Sequence, residues 1–199
     1  MASTEAGSGA RARQLFLVRH GETERSARHV YSGQADVPLT DAGREQARLA
    51  GERLADAGID AIWSSPLCRA TDTAEAIAKT TGAPVRIDER LIEVDYGALE
   101  GFDRHEAREH FGAPFNAWRA DPFNSPLPGM EPLGDALARA RSATSDAIAA
   151  CECPLLVGHQ GILRLVLVAL GRVEAGDYFS VRLSEAQPME IPQPSVVQA

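Results

Sequence analysis

Apolar and polar positions alternate in blocks along the chain. Short apolar runs, typical of buried strands, are separated by longer stretches with the apolar spacing of a helix. The predicted strands are Leu15–Val18, Ala61–Ser65, Val85–Ile87, Pro154–Gly158 and Phe179–Leu183. Strands that alternate with helices at this spacing predict an α/β fold, a three-layer α/β/α sandwich around a mainly parallel central sheet.

The helices are indicated by caps and stops as well as by periodicity. They are predicted from Thr40 to Gly58, from Cys68 to Gly82, from Leu133 to Ala150 and from Ile162 to Gly171. Thr40 is a favourable N-cap residue, and glycine ends three of the four segments. The last segment is almost entirely apolar, so we expect it to be buried.

An irregular region lies between the third strand and the long helix. It is rich in glycine, proline and aromatic residues, and we predict that about residues 98–132 form a lid or substrate-facing insertion. A second small core packed on the sheet would account equally well for most of its aromatic rings. Periodicity alone does not choose between the two.

The length of 199 residues favours one domain over two. We predict a single domain over residues 14–184, after a flexible leader at 1–13 and before an extended, proline-rich tail at 185–199. No internal repeat is evident in the sequence.

Charge and cysteine content narrow the range of partners and locations. A net charge of -8 argues against a nucleic acid or an anionic membrane as partner. Cys68, Cys151 and Cys153 form an odd set without CxxC spacing, which indicates reduced thiols rather than a disulfide framework or a zinc site. No apolar stretch has the roughly 20 residues of a membrane span, and residues 1–13 lack the apolar core of a signal peptide. We therefore predict a cytoplasmic protein; a homodimer stays open.

Chemistry-bearing residues follow three of the predicted strands. The first strand runs into Arg19 and His20, the "LLV" strand runs into His159, and "SSPLCRA" puts Arg69 on the first turn of a helix. Ligands of such sheets bind beyond the carboxyl ends of the strands. Two arginines and two histidines at one sheet edge would form a positive pocket suited to a phosphoryl group.

Each of these residues, taken singly, is more often structural than catalytic, and it is their coincidence at three strand ends that favours a site. The adjacent glycines would let backbone N–H groups approach a ligand closely. Metal binding is the competing interpretation. It is disfavoured because arginines beside the histidines would repel a divalent cation, and because Asp or Glu ligands at metal spacing are lacking.

Five motifs in order resemble the histidine phosphatase superfamily, the phosphoglycerate-mutase-like fold. They are "LVRHGET", "D.PLTDAGREQA", "SSPLCRATDTAEAIA", "LIEVDYGALEG" and "VGHQG", and they extend from about Leu15 to Gly171. The "RHG" signature alone would be weak. With the other four motifs in family order, the resemblance is highly specific.

The resemblance implies a role for each matching residue. His20 would be the nucleophile that becomes phosphohistidine, and Glu93 the general acid and then the base for water. Arg19, Arg69 and His159 would hold the phosphate oxygens and the charge that builds up during transfer. The resemblance implies neither a metal nor an organic cofactor. Imidazole is largely neutral at pH 7, and nearby arginines should keep it so for attack.

Further substrate contacts are predicted for Gly21, Ser26, Ser32, Gly33 and Gln160. Two of these positions depart from the family pattern. Arg25-Ser26 stands where the family commonly has Trp-Asn, and Val30-Tyr31-Ser32-Gly33 stands where it has Arg-x-Gln-Gly. Glu131, in "PLPGMEPL", either lines the substrate pocket or merely begins the long helix, where an acidic residue is favoured.

These observations predict a phosphomonoester hydrolase for a small phosphorylated metabolite, such as a sugar phosphate or α-ribazole phosphate. The missing Trp-Asn pair and the compact chain disfavour a phosphoglycerate-type mutase, which stays an alternative. A non-catalytic phosphate-binding regulatory protein is the other alternative. It is disfavoured because a binder needs neither a nucleophile nor an acid.

Overall fold

The computed structural model describes residues 13–192 and, within that range, contains one five-stranded sheet. Its spatial order is β3-β2-β4-β1-β5, with β2, β3 and β4 parallel to β1 and β5 antiparallel at the edge. This confirms the predicted α/β fold with a mainly parallel sheet. The strands are β1 (Gln14–Arg19), β2 (Ala61–Ser64), β3 (Val85–Ile87), β4 (Pro154–Gly158) and β5 (Met189–Pro192).

The helices have the predicted order and, for the long ones, nearly the predicted ends. Thr40 is the N-cap of the second helix and accepts a hydrogen bond from the N–H of Gly43 at 3.0 Å. Gly82 ends the third in the left-handed conformation, with φ of 72°. The helices are α1 (Glu24–Ala27), α2 (Asp41–Leu54), α3 (Cys68–Thr81), α4 (Arg104–Phe111), α5 (Ala113–Ala120), α6 (Leu133–Ala150) and α7 (Gln160–Ala169).

The core lies on both faces of the sheet because the central strands are apolar on both sides. In β1, Leu15 and Leu17 point into a cluster with α6 and α7, whereas Phe16 and Val18 point into a cluster with α2 and α3. This alternation follows from the two-residue period of a strand. The result is the predicted sandwich of helices, sheet and helices.

The insertion at residues 98–132 contains the two short helices α4 and α5. Phe115 and Trp118, from α5, are fully buried in the same cluster as Leu15 and Leu17. Its rings therefore extend the core of one sheet face rather than forming a separate core. The insertion also supplies the side chains of Arg104 and Arg119 to a cavity at the carboxyl ends of the strands.

The prediction of a last strand at Phe179–Leu183 is wrong. That segment is irregular, and the carbonyl of Val181 accepts hydrogen bonds from the side chains of Gln160 and Arg164 instead of from a strand. The last strand is Met189–Pro192, in the segment predicted to be a tail, where Ile191 pairs with Leu15. A proline in this strand is compatible with its position at the sheet edge.

The register of the parallel strands brings their carboxyl ends together. Arg19 pairs with Gly158, and Ser64 pairs with Val157. The next residues, His20, Ser65 and His159, therefore emerge side by side. None of the helices between residues 13 and 192 combines the length and the apolar character that crossing a bilayer requires.

Candidate active site

His20 follows β1 and lies at the wall of a cavity of about 660 Å³. Its side chain is buried, and Nδ1 lies 2.7 Å from the carbonyl oxygen of Gly21. A carbonyl only accepts, so Nδ1 carries the proton and Nε2 keeps its lone pair. Burial, together with the charges of Arg19 and Arg69, holds the pKa of His20 well below its usual value. The imidazole is therefore neutral at pH 7 and suited to nucleophilic attack.

His159, which follows β4, lies behind Arg69 rather than on the cavity wall. It is fully buried, and its ring centroid is 5.1 Å from that of His20. Nδ1 accepts a hydrogen bond from Nε of Arg69 at 3.1 Å, and Nε2–H donates to the hydroxyl of Ser65 at 2.7 Å. Burial and then the charge of Arg69 lower the pKa of His159 well below its usual value. In this arrangement Nδ1 positions Arg69 and Nε2 is bound to Ser65, so both ring nitrogens have protein partners.

Arg69 is held on three sides at the first turn of α3. Besides the contact with His159, Nη1 donates to the carbonyl of Ala35 at 2.7 Å and Nη2 to the carbonyl of Gly33 at 2.8 Å. Gly33 has a φ of 49°, and a Cβ there would lie 1.6 Å from Oε1 of Glu100. A residue with a side chain would be strained at this φ and would have to displace Glu100, so glycine is favoured at this position. Gly33 thus supports Arg69 through its backbone as well as lining the cavity.

Arg19 stands beside the nucleophile at the end of β1. Nη2 donates to Oε1 of Glu185 at 3.2 Å and Nη1 to the carbonyl of Leu183 at 3.3 Å. Within residues 13–192, Nε of Arg19 is buried without a hydrogen-bond partner. Burial lowers the pKa of Arg19, and Glu185 opposes that shift. The guanidinium therefore lies at the site with donor capacity that the protein has not used.

Glu93 reaches the cavity from the loop before the insertion and is bound at the N-terminus of α7. Oε2 accepts from the N–H of Gly161 at 2.9 Å; Oε1 accepts from the N–H groups of Ile162 at 2.9 Å and Val94 at 2.8 Å. A Cβ on Gly161 would lie 2.6 Å from Oε1 of Glu93, so glycine is required there. The N–H groups of Gly161 and Ile162 are unpaired at the start of α7, and together with the N–H of Val94, the residue after Glu93, they fix the carboxylate in place.

Arg139, on α6, organises the backbone that carries Glu93. Nη1 donates to the carbonyls of Arg90 at 2.7 Å and Ile92 at 2.6 Å, and Nη2 donates to the carbonyl of Glu93 at 3.2 Å. Glu131 pairs with Arg139 at 2.7 Å from Oε1 to Nε and at 2.8 Å from Oε2 to Nη2. Glu131 lies outside the wall of the cavity. It therefore acts on the site indirectly, through Arg139 and through the N–H of Asp95, from which its Oε2 accepts at 3.3 Å, a role that neither predicted alternative included.

Gly21, which was predicted to contact substrate, lies outside the wall of the cavity. Its N–H donates to the hydroxyl of Thr73 at 3.1 Å, and a Cβ there would lie 2.3 Å from the carbonyl oxygen of Gly43. The glycine is required because two backbone segments pack closely. The buried position of Gly21, away from the cavity lining, follows from the same contact.

The other predicted contacts do line the cavity, but their polar groups already have protein partners. The hydroxyl of Ser26 accepts from the N–H of Thr23 at 2.9 Å in the capping box of α1, and that of Ser32 lies 3.4 Å from the carbonyl of Val30. The amide of Gln160 bridges the segment at residues 181–183. All three shape the wall of the cavity.

Most residues of the outer wall of the cavity, the part of its lining away from His20, were not predicted from the sequence. One signal was present: Arg164 is a lone charge in the apolar helix α7, four residues after Gln160 and so on the same face. The guanidinium of Arg119 lies 3.6 Å from the ring centroid of Phe179. The cavity residues outside the predictions include Glu22, Tyr31, Tyr96, Arg104, Arg119, Arg164, Phe179, Arg182 and Glu185.

The arrangement suits phosphoryl transfer. A neutral imidazole can attack phosphorus, two arginines can hold the equatorial oxygens, and a carboxyl group is within the same cavity. In the part of the chain that the structure describes, no three His, Cys, Asp or Glu side chains come together as metal ligands.

Residues 15–191 match the family model of the histidine phosphatase superfamily (branch 1). Among curated proteins, the chain is 34% identical over 187 residues to the 2,3-bisphosphoglycerate-dependent phosphoglycerate mutase of Nitrobacter winogradskyi, covering 89% of this chain and 90% of that protein.

Solved structures with the same fold include phosphatases. A mycobacterial glucosyl-3-phosphoglycerate phosphatase in complex with VO3 superposes with a TM-score of 0.81, at 29% identity over 90% of each chain. The α-ribazole phosphatase of Shigella flexneri superposes with a TM-score of 0.77, at 28% identity over 89% of each chain.

Proposed function

The chain belongs to the histidine phosphatase superfamily and is an enzyme of that superfamily; from this premise we propose that it hydrolyses a small phosphomonoester through a phosphohistidine at His20. The substrate class includes sugar phosphates and α-ribazole phosphate. Water is the final acceptor of the phosphoryl group.

In the first step, Nε2 of His20 attacks phosphorus, so that a P–N bond forms while the P–O bond to the leaving group breaks. Glu93 enters this step as the neutral carboxylic acid, gives its proton to the departing oxygen and becomes a carboxylate. Arg19 and Arg69 hold the equatorial oxygens and neutralise their charge. In the second step Glu93 takes a proton from water, the hydroxide oxygen attacks phosphorus, and the P–N bond breaks to release phosphate and restore His20.

The observation that carries the proposal is the fixed tautomer of His20. The carbonyl of Gly21 takes the Nδ1 proton, and the charges of Arg19 and Arg69 oppose protonation of the ring. A nucleophile held neutral beside two cations is what attack on a phosphate dianion requires. Phosphatases among the structural relatives support hydrolysis as the outcome.

A mutase is the second candidate because curated relatives bear that name. The chain spans 90% of the Nitrobacter winogradskyi protein, so its compactness, contrary to the expectation from its length, does not argue against a mutase. In a mutase the phosphoryl group on His20 would return to a bound hydroxyl rather than to water. The two reactions share the first step and differ only in the acceptor.

The test is to trap the intermediate and identify its acceptor. The protein is mixed with a radiolabelled phosphomonoester in the presence of a chelator, quenched in base and examined for acid-labile label on His20. Hydrolysis puts an oxygen from isotopically labelled water into the released phosphate. Efficient conversion of 3- to 2-phosphoglycerate, stimulated by the bisphosphate, would favour the mutase, and absence of both turnover and label would favour a binding protein.

A further inference from the structure

A second group of cations lines the cavity away from His20. Arg104 on α4, Arg119 on α5, Arg164 on α7 and Arg182 in the following loop all contribute to its wall. Between residues 13 and 192, no Asp or Glu oxygen lies within ion-pair distance of any of the four. They are therefore positive charges without a negative partner in the described protein.

Arg119 and Arg164 are half-buried and converge on one ring. Their guanidinium carbons lie 3.6 and 5.7 Å from the ring centroid of Phe179. Burial lowers the pKa of Arg119; Tyr31 opposes that shift, and the charges of Arg104 and Arg164 add to it. Partly desolvated like charges that repel one another are costly unless an anion joins them.

The carboxylates of the same cavity do not supply that anion. Glu22 accepts a hydrogen bond from the hydroxyl of Thr40 at 2.8 Å, Glu93 is bound at the start of α7, and Glu185 is paired with Arg19. The outer wall therefore carries a local excess of positive charge in a chain whose net charge is -8. Such a focus of charge in a concave wall attracts an anionic ligand.

We propose that Arg119 and Arg164, with Arg104 and Arg182 at the rim, form a subsite for a second anionic group of the substrate. This rests on the proposed function and deepens it: the substrate is a small phosphomonoester that also carries a carboxylate or a second phosphate. Both groups suit the forked donors of arginine. Tyr31, Tyr96 and Phe179 line the same cavity and offer ring surface to the linker between the two anions.

The first experiment compares substrates that differ only in whether they carry the second anionic group. Values of kcat/KM are measured for 4-carboxyphenyl phosphate and its uncharged isostere 4-carbamoylphenyl phosphate. The same is done for α,ω-alkanediol bisphosphates and the matching alkyl monophosphates. We expect the second anion to raise kcat/KM about tenfold in at least one pair, and added salt to reduce that ratio. The pair with the larger ratio identifies the preferred anion.

The second experiment assigns the preference to residues. Arg119→Gln and Arg164→Gln should each bring the ratio of charged to uncharged substrate close to one. Arg108→Gln, on the same helix as Arg104 but outside the cavity wall, is the matched control and should keep the parent ratio. If Arg119→Gln kept the parent ratio of kcat/KM for charged and uncharged substrate, the proposal would be overturned, because the preference would then come from other residues.

Failure of the subsite and failure of the proposed function give different results. Hydrolysis with trapped phosphohistidine but equal rates for each charged and uncharged pair would overturn the subsite and leave the function intact. Calorimetric binding of both substrate pairs to His20→Ala measures the preference without turnover. Equal dissociation constants within both pairs would overturn the subsite, whereas tighter binding of the charged member of either pair would support it even if hydrolysis were absent.

Discussion

The inner and outer parts of the cavity are built in opposite ways. On the inner side, His20 and Arg69 are held by backbone carbonyls, and Glu93 by backbone N–H groups at a helix start. On the outer side, Arg119 and Arg164 stack near one ring, and no Asp or Glu within the described range pairs with them. The inner part is preorganised for one chemical group, whereas the outer part has charge left over for a ligand. We infer that the inner residues determine the rate of the reaction and the outer arginines the choice of substrate, so that each can be changed without the other.

The largest effect is expected from removal of the inner nucleophile. His20→Ala should lower turnover by roughly 10⁴-fold or more, as removal of the nucleophile does in covalent enzymes. The fold should persist, which circular dichroism checks. Turnover within about tenfold of the parent would contradict the covalent mechanism and with it the contrast between the two regions.

Glu93→Gln should be the next most damaging change because the amide cannot give a proton to the leaving oxygen. We expect a loss on the order of 10²–10⁴-fold with alkyl phosphates, whose alkoxides leave poorly. The phosphorylation burst with p-nitrophenyl phosphate should suffer much less in rapid-mix measurements. If both substrates lost equally, Glu93 would be only a positioning group for α7.

A smaller loss is expected at Arg139, which acts on the reaction through the backbone of Glu93. Arg139→Lys keeps the charge but cannot reach three carbonyls and Glu131 together, so kcat for alkyl phosphates should fall about tenfold or more, as misplacement of a catalytic group causes. Arg141→Lys on the same helix is the control. The distinguishing readout is leaving-group dependence: aryl phosphates should be affected less, which general destabilisation would not produce.

The smallest effect concerns stability at mildly acidic pH. The pKa values of His20 and His159 are depressed in the folded protein, so below about pH 6.5 the unfolded chain takes up protons that the native state does not. The contribution of the two histidines to the free energy of unfolding should be constant above that pH. Below it, each histidine should lower the free energy of unfolding by about 1.4 kcal/mol for each pH unit. Chemical denaturation between pH 5 and 8 measures this; His20→Asn should flatten the slope by one proton, and an unchanged slope would show that His20 is charged in the native state.

The two histidines and Arg69 were predictable because each follows a strand or begins a helix within a few residues, whereas Glu93, in the loop after β3, was predicted only from the resemblance of "LIEVDYGALEG" to the family motif. "RHG" comes directly after β1, and "GHQG" joins β4 to α7, so local pattern and strand-end geometry were sufficient to bring His20 and His159 together. What local pattern did not reveal is that His159 turns both ring nitrogens to its neighbours. That depends on Ser65 and Arg69, which come from another strand and another helix.

The outer region was not predictable from local pattern. Arg104, Arg119 and Phe179 meet only because the insertion and the segment after α7 fold over the same end of the sheet. The same limitation explains the misplaced last strand. The run at Phe179–Leu183 has the better strand composition, but the open edge of β1 is paired by Met189–Pro192, whose strand propensity is reduced by proline.

The position of β1 has a consequence for synthesis of the protein. This strand is made first, yet both of its neighbours, β4 and β5, are near the other end of the described chain: Phe16 pairs with Leu155 on one side and with Glu190 on the other. While the ribosome makes the intervening residues, a four-residue apolar segment has no sheet partner, which is the situation that favours aggregation and chaperone binding. The nucleophile at the end of β1 is therefore delivered to its site only when translation of the domain is almost complete.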